Sequence, residues 1–180
     1  MTSRTVRIVQ FVNVLLFALV MGVFWGTWFS LSRSIASIRA ETFLEVGHTM
    51  IANLGGPMSI LMPAALASSL LLLLVLFRQR HGAAFNLALA SLALMVGALV
   101  VTLAVNVPID DQINQWTANA LPPGWTATRD RWELYHTIRT FLSIVALGFA
   151  VASALRWTPD VDARFGRLQA GCRRPGAEAG

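Results

Sequence analysis

Four long apolar runs dominate the pattern of hydrophobic and polar positions along this chain. They cover residues 8–31, 57–77, 83–105 and 138–157, and the third run contains no charged residue. A helix needs about 20 apolar residues to cross a hydrocarbon layer about 30 Å thick, so each run is long enough to span a membrane. The first run is too long for the apolar region of a signal peptide, and no clear cleavage site follows it. The pattern therefore predicts an all-α integral membrane protein built as a four-helix bundle.

The connections between these runs differ in length. Residues 32–56 and 106–137 form two long connections, whereas only residues 78–82 separate the second run from the third. Elements joined by a short turn pack side by side, so we expect the second and third helices to form an antiparallel hairpin. We predict one domain over residues 1–157 and a mobile, basic cytoplasmic tail over residues 158–180.

Composition supports the membrane class and excludes several others. The chain is 56% hydrophobic and 13% charged, against about 25% charged in an ordinary soluble domain. Such a chain is poorly suited to disorder or to nucleic-acid binding. The net charge of +5 comes from 14 basic residues, all of them arginine, and in a membrane protein a basic surplus usually marks the cytoplasmic side. The single cysteine, Cys172, has no partner for an internal disulfide.

The distribution of arginines predicts the orientation. If both termini are cytoplasmic, nine arginines lie on that side and five lie on the other, as the positive-inside rule favours. The two long connections then lie on the extracytoplasmic side. An arginine-only, alanine-rich composition is associated with GC-rich bacterial genomes, so we expect a bacterial plasma (inner) membrane. The nine are Arg4, Arg7, Arg78, Arg80, Arg156, Arg164, Arg167, Arg173 and Arg174; the five are Arg33, Arg39, Arg129, Arg131 and Arg139.

Each long connection carries a Glu-x-x-His motif. These are Glu45 with His48 and Glu133 with His136. A Glu and a His one helical turn apart can present an oxygen and a nitrogen to one metal ion, as in helix-bundle metal sites. Both motifs precede helices that run in the same direction, so we expect them to meet at the outer end of the bundle. The spacing predicts a transition-metal site, without distinguishing iron, copper, manganese or zinc, and a haem held by the two histidines is a further possibility.

A structural interpretation of the same motifs stays open. Glu45 and Glu133 would pair with neighbouring arginines, and the histidines would hydrogen-bond loop backbone. Arg139, at the mouth of the fourth helix, would either hold a substrate oxyanion or carboxylate or extend to the membrane interface.

Further candidates lie after the third run and before the fourth. Pro108 predicts the end of the third helix, with Asn106 as its cap. In the functional interpretation Asn106 and Asp110 instead orient substrate or bind the metal, and Asp110 or Asp111 supplies an additional carboxylate ligand. Trp132 and Tyr135 flank the second motif and are candidate walls of an aromatic-binding pocket, although an aromatic belt at the membrane interface also explains the tryptophans.

The segments Asn106-Val-Pro-Ile and Trp132-Glu-Leu-Tyr-His136-Thr-Ile-Arg139 resemble a known family. It is the small four-helix membrane family, mostly of unknown function, that includes fungal anthrone oxygenases of aromatic polyketide pathways. The resemblance covers about residues 8–157, and its most specific part is Trp-Glu-x-x-His-x-x-Arg. Asp110 stands where asparagine is expected. The resemblance implies oxidation of an aromatic or polyketide-like substrate.

Together these observations predict a membrane-embedded oxygenase that acts on a hydrophobic substrate at the outer membrane face. His136, Glu133 and Arg139 are the predicted catalytic residues, and His136 or Glu133 would serve as general base if no metal takes part. Asn106, Trp132, Tyr135 and Asp110 are the predicted substrate-binding residues. The predicted partners are the lipid bilayer and a hydrophobic small molecule, and no nucleic acid is expected. The sequence does not predict the oligomeric state. The alternative function is a small transporter or accessory subunit that uses the same residues for proton relay or partner binding.

Overall fold

The computed structural model describes residues 3–32, 34–77 and 82–157, and every regular element in these ranges is helical. Four helical stretches are long and apolar enough to cross a membrane, which confirms the all-α four-span architecture. The orientation of the termini stays a prediction, and the expected tail at 158–180 lies outside the described residues. The α-helices are α1 (Ser3–Thr27), α2 (Ala40–Leu76), α3 (Ala83–Val101), α4 (Val107–Asn114) and α5 (Trp125–Arg156).

Short irregular helices join or extend these elements. A π-helix, Trp28–Ser32, continues α1, and a 3-10 turn, Ile35–Ser37, leads towards α2. A second π-helix, Thr102–Asn106, connects α3 to α4 without a break. Residues 83–114 therefore form one continuous third span.

Polar side chains form hydrogen bonds between helices inside the bundle, while large apolar side chains cover its outside. Ser91 donates to the Ala146 carbonyl and Ser153 to the Ala84 carbonyl, so two hydroxyls join α3 to α5. Asn13 of α1 donates to two serine hydroxyls of α2. Small and polar contacts of this kind are typical of helix packing in membranes, where lipid supplies no hydrophobic force between helices.

Three apolar clusters divide the bundle along its length. The middle one includes Phe17, Met62 and Met95. A second, which we call the rim cluster, contains Ile35, Phe43, Leu44, Ile109 and Ile113 as its buried members. It closes the end of the bundle where α2 and α5 begin. The third lies at the opposite end, around Leu72 and Leu76.

The helices extend well beyond the predicted spans. α2 begins at Ala40 and continues through Pro57 and Pro63, and α5 begins at Trp125. Both Glu-x-x-His motifs therefore lie within helices rather than in connections before them. Hydropathy identifies residues that suit hydrocarbon, but a helix continues past that layer wherever neighbouring elements pack against it. Proline is tolerated in membrane-spanning helices because neighbouring helices can satisfy the backbone groups that it leaves without a partner.

The predicted helix end at Pro108 is wrong. The third span passes through this point because the π-helix at 102–106 precedes the proline, which then occupies the first turn of α4. A proline in that turn needs no backbone N–H, and the wider π turn accommodates the change in hydrogen bonding. Asn106 makes no side-chain cap bond, so its predicted capping role is also wrong.

Candidate functional site

A cavity of about 400 Å³ lies among all four spans, next to the rim cluster. Its walls are mostly apolar, with Phe24 from α1 and Met50, Leu54 and Met58 from α2. This volume falls within the range of small-molecule sites, about 300–1,000 Å³. The polar and aromatic groups that line it are Thr27, Ser59, Thr102, Asp110, Trp132, His136 and Arg139.

Arg139 is the cation of this cavity. It lies on α5 and is 9% exposed. Its Nε donates to His136 Nδ1 at 3.0 Å, and its Nη1 donates to the Thr102 hydroxyl at 3.3 Å. The guanidinium carbon also lies 4.6 Å from the centre of the Phe24 ring. Nη2 has no hydrogen-bond partner among the described residues, so its N–H groups are available to an oxygen atom in the cavity.

His136 lies one turn before Arg139 and is 1% exposed. Its ring stacks on Trp132 with centroids 4.9 Å apart, and the edge of Phe24 contacts it from α1. Because Nδ1 accepts a hydrogen bond from Arg139, a neutral ring carries its proton on Nε2. Nε2 has no hydrogen-bond partner among the described residues, and the Phe24 backbone faces the ring without forming a bond of good geometry. His136 is therefore a hydrogen-bond donor at Nε2 and a positioning partner of Arg139.

Asp110 supplies the carboxylate of the cavity. It lies on α4, and its Oδ1 accepts a hydrogen bond of 2.7 Å from Trp132 Nε1. Asp110 and Arg139 line the same cavity and attract each other electrostatically. Within the described residues, however, no ion pair of 4.0 Å or less joins them. A carboxylate and a guanidinium thus face one apolar space without neutralising each other directly.

Asn106 acts behind the cavity rather than in its lining. It is fully buried, and its Nδ2 donates to the Trp132 carbonyl at 3.2 Å. Its Oδ1 has no hydrogen-bond partner in the described part of the chain. The bond ties the π-helix to α5 and fixes the position of Trp132. Substrate contact by Asn106 stays a prediction, and the contacts present are those of a positioning residue.

The structure does not bring the two Glu-x-x-His motifs together as a ligand set. Glu45 is exposed, and His48 Nε2 lies 2.8 Å from the Ile113 carbonyl. Glu133 is half-buried but does not line the cavity. The described residues contain no group of three His, Cys, Asp or Glu side chains that could hold a metal ion.

The metal prediction is therefore unsupported among the described residues. His48 Nε2 contacts backbone and His136 Nδ1 contacts Arg139, and a haem held by the two histidines stays a prediction. Ion pairing of the two glutamates with arginine is likewise absent among the described residues, where Arg39 pairs with Glu41 and Arg129 with Asp130. Tyr135 lies beneath the Arg131 guanidinium, outside the cavity lining.

Sequence reasoning missed the contributions of α1 and α2 to this cavity. Met50, Leu54, Met58 and Met62 repeat at four-residue intervals and share one helix face. That spacing could have predicted an apolar wall once α2 was known to begin before residue 50. Thr102 and Phe24 carried no comparable signal, because their proximity to Arg139 depends on how three helices pack.

The sequence model of one protein family, described as anthrone oxygenase, matches residues 46–149. The matched segment includes Asp110, Trp132, His136 and Arg139, whereas Phe24 precedes it. No curated protein and no solved structure matches the chain.

Proposed function

This chain belongs to the anthrone oxygenase family, and from that premise we propose that it oxygenates a membrane-soluble aromatic ketone of the anthrone type within the cavity. The observation that carries the proposal is the unpaired arrangement of Asp110 and Arg139 in one apolar space. We place the site at the extracytoplasmic end of a bacterial plasma-membrane protein, following the arginine distribution.

Arg139 has the chemistry to hold the ketone oxygen. Its free Nη2 donors can reach a carbonyl oxygen, and a positive charge in a water-poor site stabilises the oxyanion that forms when the methylene carbon opposite the carbonyl loses a proton. The flanking aromatic rings conjugate that carbon with the oxygen. Trp132 and Phe24 offer aromatic surface to the rings of the substrate. His136 holds the guanidinium in place through Nδ1.

Asp110 is the base in this proposal. Its carboxylate takes a proton from the activated methylene carbon, and the electron pair left behind is delocalised onto the oxygen facing Arg139. This assignment replaces the general base predicted at His136 or Glu133, since Nδ1 of His136 is occupied and Glu133 lies outside the cavity lining.

Molecular oxygen is the oxidant. The carbanion transfers its electrons to O₂ and forms a carbon–oxygen bond, and protonation of the distal oxygen by Asp110 gives a hydroperoxide. Loss of the second methylene proton then breaks the oxygen–oxygen bond and releases water. One oxygen atom remains in the resulting quinone and the other leaves in water, so no external reductant is needed.

The test uses the purified chain in lipid nanodiscs with anthrone under air. We expect quinone formation above the uncatalysed rate, one O₂ consumed per quinone, and one atom of ¹⁸O incorporated from ¹⁸O₂. Asp110→Asn should lower kcat by about 10²–10⁴-fold, and Arg139→Met by about 10²–10³-fold.

Matched controls separate the cavity groups from surface charge. Asp111 and Arg131 are exposed and do not line the cavity, so Asp111→Asn and Arg131→Gln should retain wild-type turnover. Turnover indistinguishable from the uncatalysed reaction, or full activity in Asp110→Asn, would refute the proposal. A transition metal bound in stoichiometric amount and lost in His136→Ala would instead favour metal-dependent chemistry.

A further inference from the structure

Five residues belong both to the cavity wall and to the outer surface of the bundle. Gly55, Ser59 and Pro63 lie on α2, and Leu103 and Val107 lie on the third span. The three on α2 are exposed, and Leu103 and Val107 are 59% and 38% exposed. The cavity therefore opens sideways between α2 and the third span, at what we call the lateral opening.

The surface around the lateral opening is apolar. Ile60 and Val100 lie close to it along the two helices and are 73% and 58% exposed. No charged residue occurs between Glu45 and Phe77 on α2, or between Ala83 and Ile109 on the third span. Gly55 is ten residues beyond Glu45, about 15 Å along a helix. These features place the opening against lipid hydrocarbon.

The end of the bundle beside the cavity is more tightly packed, with a gap of only about 30 Å³. The rim cluster fills it with buried side chains from the 3-10 turn, α2 and α4. Trp116, Leu121 and Trp125 pack against that cluster, and the contact of His48 Nε2 with the Ile113 carbonyl ties α2 to α4. A ligand would have to displace this packing to reach the cavity from the aqueous phase at that end.

We propose that the ligand enters and leaves through the lateral opening, directly from the bilayer. The site thus selects neutral, lipid-soluble polycyclic molecules, because a charged or strongly hydrated one would have to cross hydrocarbon to reach it. This inference rests on the proposed function only in requiring that the cavity binds an aromatic ligand. It does not require that the ligand reacts.

Gly55 provides the means to narrow the opening. A Cβ atom at Gly55 would meet no other atom within 4 Å, so a side chain can begin there without a clash at Cβ. Gly55→Phe also removes a poor helix former from α2. Ala67→Phe is the matched control, since Ala67 is exposed on the same helix but does not line the cavity.

Leu103 provides the means to widen it. Leu103→Ala shortens a side chain at the edge of the opening, and Val100→Ala makes a similar change on an exposed residue of the same span outside the cavity lining. A wider opening should speed entry and exit together.

The probe is anthraquinone, which is unreactive in the dark and inserts into nearby C–H bonds when illuminated. Proteoliposomes of phosphatidylcholine are mixed with phosphatidylcholine vesicles that carry the probe, and light pulses follow at increasing delays. Mass spectrometry then measures labelling of the α2 peptide containing Met58 and Met62, which line the cavity.

We expect Gly55→Phe to slow labelling at least about ten-fold relative to Ala67→Phe, and Leu103→Ala to speed it relative to Val100→Ala. If the wild-type cavity is labelled but the variants do not differ in the expected way, the lateral route is refuted and the proposed binding function is not. Absence of cavity labelling in the wild type overturns both the route and the proposed binding function. Labelling without turnover of anthrone leaves the route standing and refutes only the oxygenase chemistry.

Discussion

Trp132 joins three parts of the site, and replacing it with phenylalanine isolates one of its contacts. Its Nε1 donates to Asp110, its ring stacks on His136 and its carbonyl accepts from Asn106. Trp132→Phe keeps an aromatic ring and the carbonyl but removes the Nε1 donor. The variant therefore tests whether the tryptophan N–H holds the Asp110 carboxylate in position.

The size of the effect follows from the hydrogen bond itself. The bond is 2.7 Å long and its acceptor is a carboxylate in a half-buried position. Hydrogen bonds to charged groups contribute about 1.5–3 kcal/mol to stability, and partial exposure favours the middle of that range. We expect a coupling free energy of about 2 kcal/mol between Trp132 and Asp110.

A double-mutant cycle measures this coupling, because the smaller phenylalanine ring also loses packing that the single variant would include. The free energy of unfolding is measured in mixed detergent–SDS micelles for the wild type, Trp132→Phe, Asp110→Leu and the double variant. The control cycle uses Asp111→Leu, since Asp111 is exposed and has no bond to Trp132. A coupling below about 0.5 kcal/mol, the usual limit of additivity, would refute the inferred role of the hydrogen bond. A control coupling equal to that of Asp110 would refute it as well.

Three further changes probe other parts of the fold with the same unfolding measurement. Asn13→Leu removes two buried hydrogen bonds to serine hydroxyls, so we expect a loss of about 1–2 kcal/mol at the strengths found in membranes; no loss would contradict a polar tie between α1 and α2. Asn106→Asp places a carboxylate at a fully buried position beside the Trp132 carbonyl and should cost about 3 kcal/mol or more, whereas Asn106→Leu should cost less; equal costs would contradict the burial argument. His48→Leu removes the contact with the Ile113 carbonyl and should lower the free energy of unfolding by about 1 kcal/mol, and His48→Gln should recover part of that loss. Elemental analysis should show the same metal content in both variants as in the wild type. Loss of one equivalent of metal would favour the metal hypothesis.

The order of amino acids was enough to predict the membrane class, the four spans and one side of the candidate site. An apolar run of this length crosses a bilayer as an α-helix, because every backbone polar group must be hydrogen-bonded within the segment. The spacing of Trp132, His136 and Arg139 also places these residues on one face of any helix that contains them. These conclusions depend on local helix geometry and on the free energy of transferring residues from water to lipid. Both can be worked out from residues that are close together in the sequence.

Packing between the helices determines which of the candidate residues share a cavity. Glu45 with His48 and Glu133 with His136 have the same spacing, yet only His136 lines the cavity, because the rotation of each helix about its axis determines which face turns inward. The sequence also predicted a helix end at Pro108, where a π-helix instead carries the third span onward and brings Asp110 to Trp132. Such contacts depend on packing between helices that are remote in sequence, and the pattern of hydrophobic positions along one helix does not specify its partners.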